Sequence, residues 1–166
     1  MPLGAISMRE SVAMFAHLLV PLDGSPFAEV ALKAAVDLAD KYQSRLLLVY
    51  VVNVPHAASA FADEAHDQLL DHIRHRVFAD ALAYLEAKEI GLRQQGYRVA
   101  SKLIEGQDVA DTILEIAREE LVDTIVMCTH GRSGIGRWVF GSVAEKVLRG
   151  AEIPLLLLRP ESEGDA

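Results

Sequence analysis

The fold is decided by one stretch, Thr124–Arg149, which reads TIVMCTHGRSGIGRWVFGSVAEKVLR. Its first four residues are apolar or β-branched and predict a buried strand. A loop with glycines at 131, 134, 136 and 141 follows. From Ser142 onward, apolar residues recur at the four-residue spacing of a helix. A strand, a glycine-rich loop and a helix start suit a bound phosphate, because backbone N–H groups can approach the anion and the first helical turn offers unpaired donors.

The glycine spacing identifies which phosphate motif this is. It is not a P-loop, because no Gly-Lys-Ser/Thr follows, and it differs from the dinucleotide fingerprint. It resembles the signature of the universal stress protein family: Gly, two residues, Gly, nine residues, then Gly-Ser or Gly-Thr. Gly131 matches the second glycine and Gly141-Ser142 close the motif, whereas Cys128 stands in place of the first glycine.

Length and composition favour one globular domain that binds neither nucleic acid nor membrane. The chain has 166 residues, of which 51% are hydrophobic and 24% charged, and a formal charge of -8. Nucleic-acid partners recruit surplus Lys and Arg, so this charge argues against them. No apolar run approaches the roughly 20 residues that span a bilayer. One cysteine excludes an internal disulfide, and no secretory signal is visible, so we expect a cytoplasmic protein.

The domain is predicted to cover residues 15–160. Residues 1–14 carry little periodicity and are interpreted either as a loose extension or as an overlong start with Met14 as the true beginning. Residues 161–166 form a polar tail.

The pattern along the chain predicts alternating strands and helices. Strands are expected at residues 17–22, 45–52, 97–105, 122–127 and 153–158. Ser25-Pro26 marks a helix start, and the second helix is expected to end near Gly96. The residues predicted to form the buried helix faces are Ala31, Ala34, Ala35, Leu38 and Tyr42 in the first, Leu70, Ile73, Val77, Ala81 and Tyr84 in the second, Val109, Ile113, Ile116 and Ala117 in the third, and Val143, Ala144, Val147 and Leu148 in the fourth. This order predicts an open, doubly wound α/β fold with a parallel sheet and helices on both faces.

The family resemblance covers nearly the whole chain. Three segments are similar to parts of the family pattern. They are Leu18–Ser25, which matches the first strand, Leu47–Val51, which matches the second strand, and Gly141–Leu148, which matches the last helix. The resemblance implies a five-stranded sheet in the order 3-2-1-4-5, Rossmann-like and of the adenine nucleotide alpha hydrolase type. In such a sheet a ligand binds beyond the carboxyl ends of strands 1 and 4, where the winding reverses.

The resemblance further implies an ATP site, with Mg²⁺ on the phosphates. Asp23 would lie against the adenosine half, while Gly131, Gly141 and Ser142 would approach the phosphates and Arg132 would add charge. The implied cofactor-binding residues are Pro21, Leu22, Asp23, Val51, Met127, Cys128, Gly131, Arg132, Gly141, Ser142 and Val143. Three of them have ordinary alternatives: Asp23 as a turn residue, Ser142 as a helix N-cap and Arg132 as a solvated loop side chain.

Two other groups of residues suggest chemistry. Cys128 is interpreted first as a small buried hydrophobe and second as a redox-sensitive thiol. Its Cβ is expected to crowd the ribose or α-phosphate, and a positive φ there would add backbone strain. Helix 2 carries histidines and aspartates that could suggest a metal site, but a solvated polar face is favoured over a metal site.

The sequence therefore predicts a universal stress protein acting as an ATP-binding regulatory module, without a catalytic base that could be named and with at most weak hydrolysis. The alternative is a dimeric interaction protein of the same fold whose ATP site is impaired by Cys128. An electron-transfer or hydrolase domain is disfavoured, because no flavin loop or nucleophile elbow is present. The resemblance implies a homodimer through the last strand, Leu155–Leu158, and further protein partners that the sequence does not identify.

Overall fold

The computed structural model describes residues 14–53, 64–129 and 141–159, and only the backbone of residues 64–67. Nine elements alternate along these residues. They are β1 His17–Pro21, α1 Pro26–Tyr42, β2 Arg45–Val52, α2 Glu64–Gln94, β3 Arg98–Glu105, α3 Val109–Glu119, β4 Thr124–Cys128, α4 Ser142–Gly150 and β5 Leu155–Leu158.

The five strands form one parallel sheet in the order β3-β2-β1-β4-β5. This confirms the predicted fold and strand order. The chain first winds from β1 outward to β3, then crosses to β4 and β5 on the other side. The winding therefore reverses between β1 and β4, which lie side by side with Leu18 opposite Thr124.

Each face of the sheet is covered by two helices. Side chains alternate along the strands, so Leu18 and Val20 pack with α1 and α2, whereas Leu19 packs with α3 and α4. In β4, Val126 and Cys128 join the first cluster, and Ile125 and Met127 join the second. These central strands are buried on both faces, which explains why their sequences are continuously apolar.

Three predicted helix faces, those of α1, α4 and α2, are wrong in part. In α1 the buried residues are Ala28, Ala31, Leu32, Ala35 and Ala39, whereas Tyr42 is 44% exposed. Tyr42 contacts Phe15 instead, with ring centroids 5.1 Å apart. In α4, Ala144 and Val147 are buried but Leu148 is 49% exposed.

Helix α2 is longer than the sheet it covers. Its 31 residues span about 46 Å, whereas the eight residues of β3 span about 26 Å. Burial is therefore concentrated in its second half, at Ala81, Leu85 and Leu92, and the predicted core residues Ile73 and Val77 are 48% and 39% exposed. None of the helices formed by the described residues combines the length and apolar character that a membrane crossing requires.

The amino ends of the strands are closed by side chains that bond to backbone. Asp123 accepts hydrogen bonds from the N–H groups of Phe15 (3.0 Å) and His17 (2.7 Å) and from the hydroxyl of Thr124 (2.9 Å). The hydroxyl of Ser44 donates to the carbonyl of Phe15, whose φ of 68° lies in the left-handed region. These bonds fix the segment that leads into β1.

Candidate functional site

A cavity of about 370 Å³ lies beyond the carboxyl ends of β1, β2 and β4. It contains the position between β1 and β4 where the winding of the sheet reverses. The helices that follow β1 and β4 pack on opposite faces of the sheet, which leaves a crevice in open sheets of this kind. The walls are mainly apolar side chains, with a few polar groups among them.

The predicted site residues that the structure describes all line this cavity. They are Pro21, Leu22, Asp23, Val51, Met127, Cys128, Gly141, Ser142 and Val143. Gly131 and Arg132 lie outside the described residues, as does His130. The structure thus gathers residues from three strands and one helix that are up to 122 positions apart in sequence, from Pro21 to Val143.

Asp23 directly follows β1 and forms part of a turn. Its Oδ1 accepts a hydrogen bond from the N–H of Ser25 at 2.9 Å, and the next residue, Gly24, has a φ of 78° that favours glycine. The carbonyl of Asp23 accepts from the hydroxyl of Tyr50 at 3.2 Å. Asp23 is therefore a turn residue, as its ordinary interpretation predicts, and it lines the cavity as well.

The start of α4 differs from the starts of α1 and α3. The side chains of Ser25 and Asp108 cap those two helices by accepting from the N–H groups of Ala28 and Asp111. In α4 the N-cap is Gly141, which has no side chain to make a cap bond. The interpretation of Ser142 as an N-cap is therefore wrong, because Ser142 is the first helical residue and its side chain is exposed at the cavity.

The backbone of Gly141 is hydrogen-bonded to Thr129, the residue that follows β4. Its N–H donates to the carbonyl of Thr129 at 2.7 Å, and its own carbonyl accepts from Glu145 at 2.9 Å as the first bond of the helix. The N–H groups that follow, from Ser142 to Ala144, belong to the first helical turn and have no partner inside the helix. They lie at the edge of the cavity.

Cys128 is the last residue of β4 and is 6% exposed. Its thiol donates to the carbonyl of Phe27 at 2.8 Å, and burial raises the pKa of the thiol above its usual value. The buried-hydrophobe interpretation is therefore favoured over a reactive thiol, which needs a lowered pKa and access. Its φ is not positive, so the expected backbone strain is absent and that part of the prediction is wrong. The thiol points toward α1, although Cys128 also contributes to the cavity wall.

Sequence reasoning missed about half of the wall. The additional lining residues are Ala28, Val49, Tyr50, Val52, Asn53, Val77, Val109, Ile113, Thr129 and Ala144. Some carried a usable signal, because residues at the carboxyl end of a parallel strand or in the helix turn after it must face the same crevice. No sequence signal marks Val77, because Val77 lines the cavity only through the position at which α2 crosses the sheet.

The two histidines of α2 whose side chains the structure describes do not line the cavity. His72 and His75 are exposed, and each Nδ1 lies 2.8 Å from a carbonyl of its own helix, that of Gln68 and that of Asp71. No group of three or more His, Cys, Asp or Glu side chains within the described ranges could hold a metal ion.

Comparison with known proteins agrees with this architecture. The model of the universal stress protein family matches residues 14–159. The chain is 31% identical over 149 residues to the universal stress protein YxiE of Bacillus subtilis, covering 88% of this chain and 100% of that one. It is 33% identical over 150 residues to a universal stress protein of Synechocystis, covering 89% and 87%. The solved universal stress protein UspA of Lactobacillus plantarum superimposes with a TM-score of 0.75 at 25% identity, covering 89% of this chain and 99% of that one.

Proposed function

The chain belongs to the universal stress protein family, and from this premise we propose that it is an ATP-binding regulatory module whose nucleotide occupies the cavity between β1 and β4. The observation that carries the proposal is the start of α4 at the cavity, where the N-cap Gly141 has no side chain of its own to accept from the first-turn N–H groups. An anion there would take the place that the Ser25 and Asp108 side chains occupy at α1 and α3.

The polarity of the cavity fits the two halves of a nucleotide. The first turn of α4 presents N–H donors and the positive end of the helix dipole, which suit phosphate oxygens. Asp23 presents carboxylate oxygens, which suit the hydroxyl donors of a ribose and would repel phosphates. Between them, apolar side chains such as Leu22, Val51 and Ile113 provide a surface for a base.

The proposal includes Mg²⁺ held by the phosphates. Mg²⁺ keeps several waters and needs only one or two protein ligands when phosphates supply the rest. The sites expected at Gly131 and Arg132 remain part of the proposal. Since none of the described groups at the cavity is placed as a general base, we propose a regulatory ligand, with hydrolysis weak at most.

Titration calorimetry with ATP and with adenosine tests whether the start of α4 holds the phosphates and Asp23 holds the ribose. Gly141→Val should weaken ATP binding about tenfold, or 1.4 kcal/mol, because a branched side chain blocks approach to the backbone. Adenosine binding should change little. Asp23→Asn should weaken binding of both ligands. Gly91→Val in α2 is the matched control, since a Cβ there meets no atom within 4 Å and Gly91 does not line the cavity.

Two outcomes would contradict the proposal. If the parent binds neither ligand with circular dichroism intact, the chain is better described as an interaction module that has lost its nucleotide. If Gly141→Val weakens adenosine and ATP equally, the α4 start does not hold the phosphates.

We propose that the protein also forms a homodimer through β5. This strand lies at the edge of the sheet, and its four leucines are only half-buried within one chain. An apolar edge strand left bare invites association, and a two-fold partner would cover it. Leu156→Lys should give monomers in light scattering, whereas Leu148→Lys, at an exposed leucine of α4, should leave the mass unchanged. A monomeric parent, or a folded Leu156→Lys dimer, would refute the interface.

A further inference from the structure

Another cavity, of about 490 Å³, lies at the amino end of the sheet. We call it the amino-end cleft. Three of its lining residues stand first in their strands: His17 in β1, Arg45 in β2 and Arg98 in β3. The strand register pairs His17 with Arg45 and Arg45 with Arg98, so the three form one row across the sheet.

The three side chains of this row project from the same face. Their neighbours Leu18, Leu46 and Val99 all belong to the core on the α1 and α2 side. Because side chains alternate along a strand, the row projects toward the side of α3. Arg93, from the last turn of α2, also reaches the cleft.

The guanidinium groups of the row are bonded mostly to neutral acceptors. Arg45 Nη2 donates to His17 Nδ1 at 3.2 Å, and Arg98 Nη2 donates to the carbonyl of Gln43. Arg93 donates from Nε to the carbonyl of Val99 at 3.1 Å and has a carboxylate partner in Glu89 at 2.6 Å. Over the described ranges, neither Arg45 nor Arg98 has a carboxylate within ion-pair distance.

The acidic residues near the row are already engaged. Glu120 lines the cleft but forms an ion pair with Lys102. Asp123 lies beside His17 and accepts from two backbone N–H groups and the Thr124 hydroxyl. The ion pair with Lys102 and, less strongly, the charges of His17 and Arg45 lower the pKa of Glu120, so this carboxylate offsets part of the positive charge. The lining of the cleft still holds three arginines against this one carboxylate, on a protein whose formal charge is -8.

Two arginines at paired positions of adjacent strands repel each other, because neighbouring strands lie only about 4.8 Å apart. An anion bridging them would relieve that repulsion and accept from both guanidinium forks. We propose that the amino-end cleft binds a small phosphate-bearing molecule, with Arg45 and Arg98 donating to its phosphate oxygens. Guanidinium forks match phosphate geometry, the volume suits a small ligand, and the overall negative charge opposes a nucleic acid.

This site is separate from the candidate nucleotide cavity. Strand β2 begins at Arg45 in the cleft and reaches the cavity at Val49–Val52. At about 3.3 Å per residue, Arg45 lies roughly 13 Å from Val49, the nearest of these lining residues, and roughly 23 Å from Val52. A nucleotide whose phosphates lie at the start of α4 therefore does not place them on Arg45.

The probe is inorganic phosphate, with pyrophosphate as a second ligand, titrated against chloride at equal ionic strength. We expect phosphate to raise the melting temperature of the parent and to shift the amide resonances of Leu46 and Val99. Arg45→Gln and Arg98→Gln should each bind phosphate about tenfold more weakly, as expected for losing a hydrogen bond to a charged group. Arg76→Gln, an exposed arginine of α2 outside the cleft, makes the same charge change and should bind like the parent.

Both arginines are exposed, so the variants are expected to fold, and circular dichroism checks this. The proposal is overturned if phosphate acts no differently from chloride on the parent. It is also overturned if Arg76→Gln weakens binding as much as Arg45→Gln and Arg98→Gln do, which would indicate general screening. Gly141→Val should leave the phosphate response intact. A phosphate response that Gly141→Val loses, and that Arg45→Gln and Arg98→Gln keep, would place the phosphate in the other cavity and refute the cleft.

Discussion

The two ends of the sheet differ in how their backbone groups are hydrogen-bonded. At the amino end, Asp123 and Ser44 bond to the backbone around Phe15 and close the entry to β1. At the carboxyl end, a cavity of about 370 Å³ separates β1 from the start of α4, whose N-cap Gly141 has no side chain to cap the helix. At the amino end, side chains fix the backbone that enters β1, whereas at the carboxyl end the backbone N–H groups of the first turn of α4 have no partner inside the helix.

This difference follows from chain direction in a parallel sheet. The helices that follow β1 and β4, α1 and α4, pack on opposite faces of the sheet, and this arrangement opens a crevice between the carboxyl ends of the two strands. At the amino end, the incoming residues before β1 cross beside β4 and can be bonded by Asp123. Stability and nucleotide binding are therefore expected to depend on different ends, and substitutions can test that separation.

The largest effect is expected at Asp123. Asp123→Ala leaves the N–H groups of Phe15 and His17 without their acceptor and should cost about 3 kcal/mol of unfolding free energy. Urea denaturation measures this loss. ATP affinity of the folded fraction should stay within about twofold, since the two sites are distant and share no partner. An equal loss in Asp80→Ala, at an exposed aspartate of α2, would show that the loss reflects general charge rather than these bonds.

A smaller loss of stability is expected at Cys128, on the other end of the sheet. Cys128→Gly removes a buried thiol and its bond to the Phe27 carbonyl and places glycine in a strand, for about 2 kcal/mol in total. ATP should bind more tightly if the side chain crowds the nucleotide, by about 1 kcal/mol at most because no backbone strain is relieved.

Cys128→Ala separates these contributions, since it keeps the strand propensity and the Cβ. Thermal melting gives the stability of both variants, and calorimetry gives their affinity. A glycine variant that binds ATP more weakly than the parent would show that the side chain supports the nucleotide, contrary to the expected crowding.

The smallest effect concerns pH and His17. Burial, followed by the nearby charge of Arg45, lowers the pKa of His17 below its usual 6.5. The unfolded chain then binds the proton more readily than the folded one. The stabilising contribution is complete above about pH 6.5 and is lost as the pH falls through the folded pKa.

Urea denaturation between pH 7.5 and 5 tests whether the unfolding free energy falls as the pH is lowered. His17→Gln should lose less stability on acidification than the parent, because glutamine does not titrate. His72→Gln, on the exposed side of α2, should follow the parent. An identical pH slope in the parent and His17→Gln would remove His17 as a source of acid sensitivity.

The fold was predictable because its strands are continuously apolar and separated by helical periodicities. Helix faces were predicted less well, since spacing alone does not show where a helix leaves the sheet. Ile73 continues the apolar period of α2 but is 48% exposed, and Tyr42 ends the period of α1 but packs on Phe15. In both helices the apolar periodicity continues past the last residue of that face that packs against the sheet.

The site residues that belong to a sequence motif were predictable, whereas those that reach the cavity only through helix packing were not. Asp23, Gly141 and Ser142 follow from the resemblance, and the structure places them on one cavity. Val77 and Ile113 reach the same cavity through the path of α2 and the tilt of α3, which no local pattern encodes. The row of His17, Arg45 and Arg98 was also missed, because it depends on the register of three strands far apart in sequence.

Strand β1 has one more consequence. It lies between β2 and β4, and Leu18, Leu19 and Val20 are 0% exposed. Amide hydrogens in such a strand reach solvent only when the whole domain opens, so their exchange rates report global stability, whereas β3 and β5 at the sheet edges exchange through smaller openings. A ligand at either end of the sheet should therefore slow exchange in β1 by the full factor of its binding. Protection confined to one edge would mark an effect that stays local.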